Sequence, residues 1–151
     1  IKGLLGVGKH VIVTSMEHNS VMRPIASSGA LYDMLYADKF GYVNPSDIRL
    51  LAKGNTSLII CTLSSNVCGS IQPFTEIAKI ASELNIPFLL DASQGAGSVK
   101  INMKEMNIDF LVCYKVIYDT EGLLRQILHE MRRHIGCGNQ ARPFQRLGRY
   151  G

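Results

Sequence analysis

The stretch Ile86-Pro87-Phe88-Leu89-Leu90-Asp91-Ala92-Ser93-Gln94 constrains this chain more than any other. Three large apolar residues in a row after Pro87 fit a short strand covered on both faces, which calls for a mainly parallel sheet with helices above and below. Asp91 breaks the run. A carboxylate at the carboxyl end of a buried strand is costly unless a cation or several donors meet it, and in open α/β sheets ligands bind at that end. An Asp before small residues also closes turns, so a turn-forming Asp91 is the competing reading.

The flanking sequence repeats the same grammar. Residues 57–63 read as a buried strand, 64–69 as a polar loop, and 74–84 as an amphipathic helix with Ile77, Ala78, Ile80 and Ala81 inward. Strand, helix and strand joined by short connections make a right-handed parallel βαβ unit. Upstream, His10-Val11-Ile12-Val13-Thr14 has the β-branched content of a strand, 19–27 has helical spacing closed by Gly29, and 31–36 alternates as a strand. Asn44-Pro45-Ser46-Asp47 reads as a helix start, with Ile48, Leu50, Leu51 and Ala52 on its apolar side. Residues 110–113 form a further strand. Residues 1–5 look like the end of a helix, a start that suggests sequence upstream.

Composition narrows the class. With 151 residues and 46% hydrophobic content the chain can bury one core of ordinary size. No apolar run approaches the roughly 20 residues needed to span a bilayer and no signal-peptide order opens the chain, so a soluble, cytoplasmic protein is expected. Cys61, Cys68, Cys113 and Cys137 form no CxxC pair or compact metal-ligand spacing, and most sit in apolar surroundings where a reduced Cys packs as a small hydrophobe. The net charge of +4 conceals a break near Lys115. Residues 1–115 carry eight Lys, two Arg and nine acidic residues, whereas 116–151 carry no Lys, six Arg and three acidic residues. The arginines of this tail lack interleaved aromatics, which argues against a nucleic-acid binder.

In a parallel sheet three polar loops share one rim: Glu17-His18-Asn19-Ser20, Ser64-Ser65-Asn66 and Asp91-Ala92-Ser93-Gln94. Singly, each has a dull explanation, with His18 starting a helix, Asn66 filling a turn and Gln94 lying on the surface. Together they supply an aromatic plane, a carboxylate and two amides, which suits a planar nitrogen-containing ligand better than a metal.

Residues 13–24 (Val-Thr-Ser-Met-Glu-His-Asn-Ser-Val-Met-Arg-Pro), Ser65-Asn66-Val67-Cys68-Gly69 and Leu90-Asp91-Ala92-Ser93-Gln94 resemble, in order and separation, the large domain of class V pyridoxal phosphate (PLP) enzymes, close to cysteine desulfurases and selenocysteine lyases. The resemblance runs from about Ile1 to Phe110. It implies a fold type I large domain, pyridoxal 5'-phosphate as cofactor, a cysteine-like or selenocysteine-like amino acid as substrate, and a homodimer. By position, His18 would stack on the pyridine ring, Asn66 would lie near the phenolic oxygen, Asp91 would pair with the pyridinium nitrogen, and Gln94 would hydrogen-bond the phenolic oxygen. Those types suit the chemistry, since a buried carboxylate favours the protonated ring nitrogen and a histidine over the ring can also move protons.

The resemblance ends where the family places its Schiff-base lysine. Lys115, in Cys113-Tyr114-Lys115-Val116, falls about two residues early, with no histidine before it and no glycine-rich turn after it. The expected organisation is therefore a partial PLP-dependent large domain over 1–113 and a divergent basic tail over 114–151, with one helix at 120–135 followed by disorder. His129 and His134 are five apart, which does not match the zinc-protease helix. Two functions follow: an impaired PLP enzyme of desulfurase or aminotransferase type, or a non-catalytic remnant kept for association.

Overall fold

The computed structural model describes residues 3–5 and 7–113. Among them five strands, β1 (His10–Thr14), β2 (Leu31–Leu35), β3 (Thr56–Thr62), β4 (Phe88–Asp91) and β5 (Phe110–Val112), pair in parallel in the order β2-β1-β3-β4-β5. The helices are α1 (Asn19–Ser27), α2 (Ile48–Leu51), which continues a 3-10 turn at Pro45–Asp47, and α3 (Phe74–Glu83).

Period-two alternation divides the apolar residues between two cores. Val11 and Val13, Leu58 and Ile60, and Leu89 face α1, where Val21 and Ile25 meet them. Ile12, Ile59, Cys61, Phe88 and Leu90 face the other way, onto Ile77, Ala78 and Ala81 of α3 and Ile48 of α2. Each central strand is thus apolar on both sides, as the uninterrupted runs in the sequence require.

The connections fix where the crevice lies. From β1 the chain moves outward to β2, returns past β1 to lay down β3 on its other side, and then continues to β4 and β5. The loops leaving the carboxyl ends of β1 and β3 therefore part in opposite directions, which opens a cleft at that end of the sheet. Close packing holds the loop after β4 against it: a Cβ on Gly95 would stand 2.5 Å from Leu63 Cδ2.

Three expectations change. The segment after Asn44 makes only a short helix, so Ile48 is buried while Leu50 is 83% exposed instead of lying on an apolar face. Asn44 does cap its start, its side chain accepting from the Ser46 amide at 3.2 Å. Of the cysteines, Cys61 is buried, but Cys68 and Cys113 are exposed, because they lie past the ends of their strands; all three are free thiols. Gly3 and Leu4 lie in a turn. The expected helix at 120–135, the disorder after it, Cys137 and Lys115 all lie outside the described residues.

Removing the Ile77 side chain beyond Cβ would leave a void at the centre of the α3 core. Ile77→Ala is expected to lower the unfolding free energy by about 2–5 kcal/mol, while Leu50→Ala should change it by about 0.5 kcal/mol or less. Urea denaturation of the two variants checks the assignment, and equal losses would contradict it.

Candidate functional site at the carboxyl rim

Asp91 closes β4 with only 7% of its surface exposed. Its Oδ1 accepts from the Ser93 amide at 3.0 Å and from the Ser93 hydroxyl at 2.5 Å, so Asp91 does shape the turn that follows. No lysine or arginine pairs with it among the described residues. Alternation puts Asp91 on the same face as Leu89, which is the face that α1 covers.

His18 stands at the start of that helix. It is the N-cap of α1, with Nδ1 accepting from the Ser20 amide at 3.2 Å and lying 2.9 Å from the Ser20 hydroxyl. The ring is otherwise exposed. His18 and Asp91 thus belong to the same rim and the same face of the sheet. Asn66 and Gln94 are exposed in the loops after β3 and β4.

The loop carrying Asn66 is shaped by its neighbours. Ser65 is buried, its hydroxyl accepts from the Val67 and Cys68 amides at 3.2 and 3.4 Å, and its own amide donates to the Ser70 carbonyl at 3.0 Å. Gln72, 2% exposed, fastens this loop to the segment after β2. Its Nε2 donates to the Gly41 carbonyl at 2.7 Å and its Oε1 accepts from the Val43 amide at 3.2 Å. Hydrogen bonds with Ser65 and Ser70 lower the exposed Cys68 thiol to about 7.

Glu17 was not singled out by its sequence position, yet it ties the rim together. Its Oε1 accepts from the Thr14 hydroxyl and from the Thr62 amide, each at 2.6 Å, and so joins the end of β1 to the end of β3. Its Oε2 is buried with no hydrogen-bond partner among the described residues. Burial raises this carboxyl to about 7; the Thr14 and Thr62 hydrogen bonds oppose the shift, and the charge of Asp91 adds to it. A groove of about 440 Å³ beside Asn85, Pro87 and Asp109 lies at the amino end of β4, away from these groups. No group of three or more His, Cys, Asp or Glu among the described residues could hold a metal, and no helix among them is long and apolar enough to cross a membrane.

The raised Glu17 carboxyl has a consequence for stability. An acid whose folded value, about 7, lies above its ordinary 4.5 stabilises the fold fully below pH 4.5 and loses that contribution as pH rises to 7. The loss is on the order of 3 kcal/mol. Glu17→Gln keeps an acceptor for Thr62 and stays neutral, so its stability relative to the parent should rise between pH 5 and pH 8. Thermal melts across that range check this, and a difference independent of pH would contradict it.

The chain is similar in sequence and in fold to known proteins. The Aminotransferase class-V family matches residues 1–114. The cysteine desulfurase IscS of Methanosarcina thermophila is 40% identical over 107 residues, covering 69% of this chain and 26% of its own. Among solved structures, SspA in complex with cysteine superposes with a TM-score of 0.67 at 30% identity, covering 70% of this chain and 31% of that one. The apo cysteine desulfurase of Thermococcus onnurineus NA1 gives 0.65 at 28% identity, covering 74% and 29%. The chain thus spans about a quarter of the length of the IscS relative. A match over three quarters of the sequence, a range that includes all five strands and the loops of the rim, makes this chain a member of the class V aminotransferase family.

Proposed function

We propose that the rim of His18, Asn66, Asp91 and Gln94 binds pyridoxal 5'-phosphate, and that the protein acts on an amino acid of the cysteine or selenocysteine class, with turnover of this chain slow or absent. The observation that carries the reading is Asp91. A carboxylate this buried, with Ser93 as its only side-chain partner among the described residues, suits a cationic ring nitrogen on the α1 side of the sheet. Bound there, the cofactor supplies an electron sink for reactions at the amino-acid α-carbon.

The chain's own groups divide the remaining work. Asp91 would favour the protonated ring nitrogen, His18 would offer a flat surface over the ring and a group able to move a proton, Asn66 would lie near the phenolic oxygen, and Gln94 would hydrogen-bond it. The substrate class rests on the relatives, which are cysteine desulfurases and a protein solved with cysteine. Exposed Leu31, Tyr36 and Phe40, on and beside the edge strand β2, support association into a homodimer.

Lys115 is the candidate for covalent attachment, and its spacing is the reason for expecting little turnover. A two-residue shortfall in extended chain displaces the amine by up to about 7 Å, and misplacement by about 1 Å already costs around a hundredfold in rate. Such a chain retains the cofactor rim while losing its chemistry.

Titration of the purified chain with PLP, followed by borohydride reduction, peptide mapping and a sulfide assay with cysteine, tests both halves. Asp91→Asn is expected to weaken PLP binding roughly tenfold to a hundredfold, the worth of one charge-assisted contact. Equal affinity in mutant and parent would contradict the Asp91 assignment. Stoichiometric pyridoxyl labelling of Lys115 with cysteine-dependent sulfide release would contradict the loss of turnover.

A further inference from the structure

Thr62 is the last residue of β3, and it stands in register beside Asp91, the last residue of β4. The Thr62 amide is the one that Glu17 Oε1 holds at 2.6 Å. Glu17 therefore grips the backbone immediately next to Asp91, from a loop that leaves β1. Its second oxygen is sealed from solvent and meets no donor or acceptor among the described residues. Asp91 Oδ1, like Glu17 Oε1, meets two donors, both of them from Ser93.

We propose that Glu17 is a positioning residue for Asp91, holding the ends of β1 and β3 together and setting the charge that surrounds Asp91 at the rim. As part of a cofactor site this role rests on the PLP reading above; as an electrostatic coupling it does not.

Two donors meet each carboxyl, but Glu17 also carries a sealed oxygen without a partner, so burial favours its protonated form and the Asp91 charge adds to that preference. The described residues place no lysine or arginine against either carboxyl. Cys61, fully buried at the end of β3, is pushed up by burial and then by the Glu17 charge. Cys113, just past β5, is likewise pushed up, first by burial and then by the Asp91 charge. His18 follows Glu17 in the chain but turns its Nδ1 to Ser20. A proton on Glu17 leaves Asp91 facing a neutral neighbour, so a single negative charge is available to a single cationic ligand. Deprotonation places a second anion beside it.

The test follows the side-chain carboxyl carbons of the full chain by NMR from pH 5 to pH 8.5, without cofactor. The Glu17 signal is expected to titrate with a midpoint near 7, and the Asp91 signal to show a step at the same midpoint. In Glu17→Gln that step should vanish while the Thr62 amide keeps its shift, because the glutamine carbonyl still accepts from it. A purely structural Glu17 would leave Asp91 without a step in the parent, which overturns the proposal even if the variant does not fold. A step that persists unchanged in Glu17→Gln belongs to a group other than Glu17 and also overturns the proposal. The PLP titration separates the two claims, since a step at Asp91 without cofactor binding defeats the cofactor reading and leaves the coupling standing.

Discussion

The pairing of β1 with β3 sets side by side two strand ends that lie far apart in the sequence, and the Glu17 carboxyl locks them with a contact to an amide 45 residues away. Because β2 lies on one side of β1 and β3 on the other, this is also where the chain reverses direction across the sheet. Every group of the candidate site depends on that arrangement. His18 reaches the rim because α1 begins just past β1; Asn66 and Ser65 reach it from β3; Asp91 and Ser93 reach it from the next strand over.

Burial on both faces of the sheet holds the rim in place. The α1 core supports the strands from the side that Asp91 faces, and the α3 core holds them from behind. Polar contacts then fasten the loops. Gln72, buried between two loops, satisfies the Val43 amide, which would otherwise be sealed unpaired at a cost of about 1–3 kcal/mol, and shares the Gly41 carbonyl with the Ser70 hydroxyl. Gly41 itself has a φ of +81°, and a Cβ there would fall 2.7 Å from Cys68 Sγ, so a glycine is needed where these loops touch.

Local pattern was enough to read the strands, α1, α3 and the buried position of Asp91, because apolar periodicity and turn residues act over a few neighbours. Both readings of Asp91 describe it: it shapes a turn through Ser93 and it is a buried carboxylate at a strand end. His18 likewise caps a helix, the dull explanation, while standing at the rim. The rest depended on partners distant in sequence. Nothing near Glu17 announces the Thr62 amide, though Thr14 three residues earlier was a clue to a local hydrogen bond. Gln72 gave no signal at all, and Leu50 sat in an apolar run whose helix proved too short to bury it. The cysteines were read from neighbouring apolar residues, whereas strand ends decided their exposure.

In the function proposed above, the buried Asp91 faces a cationic ring nitrogen. The ¹⁵N chemical shift of the pyridine nitrogen in labelled PLP, bound to the full chain at pH 8, tests it most directly. A protonated nitrogen is expected in the parent and a neutral one in Asp91→Asn. A neutral nitrogen in the parent, or the same shift in both proteins, would contradict it.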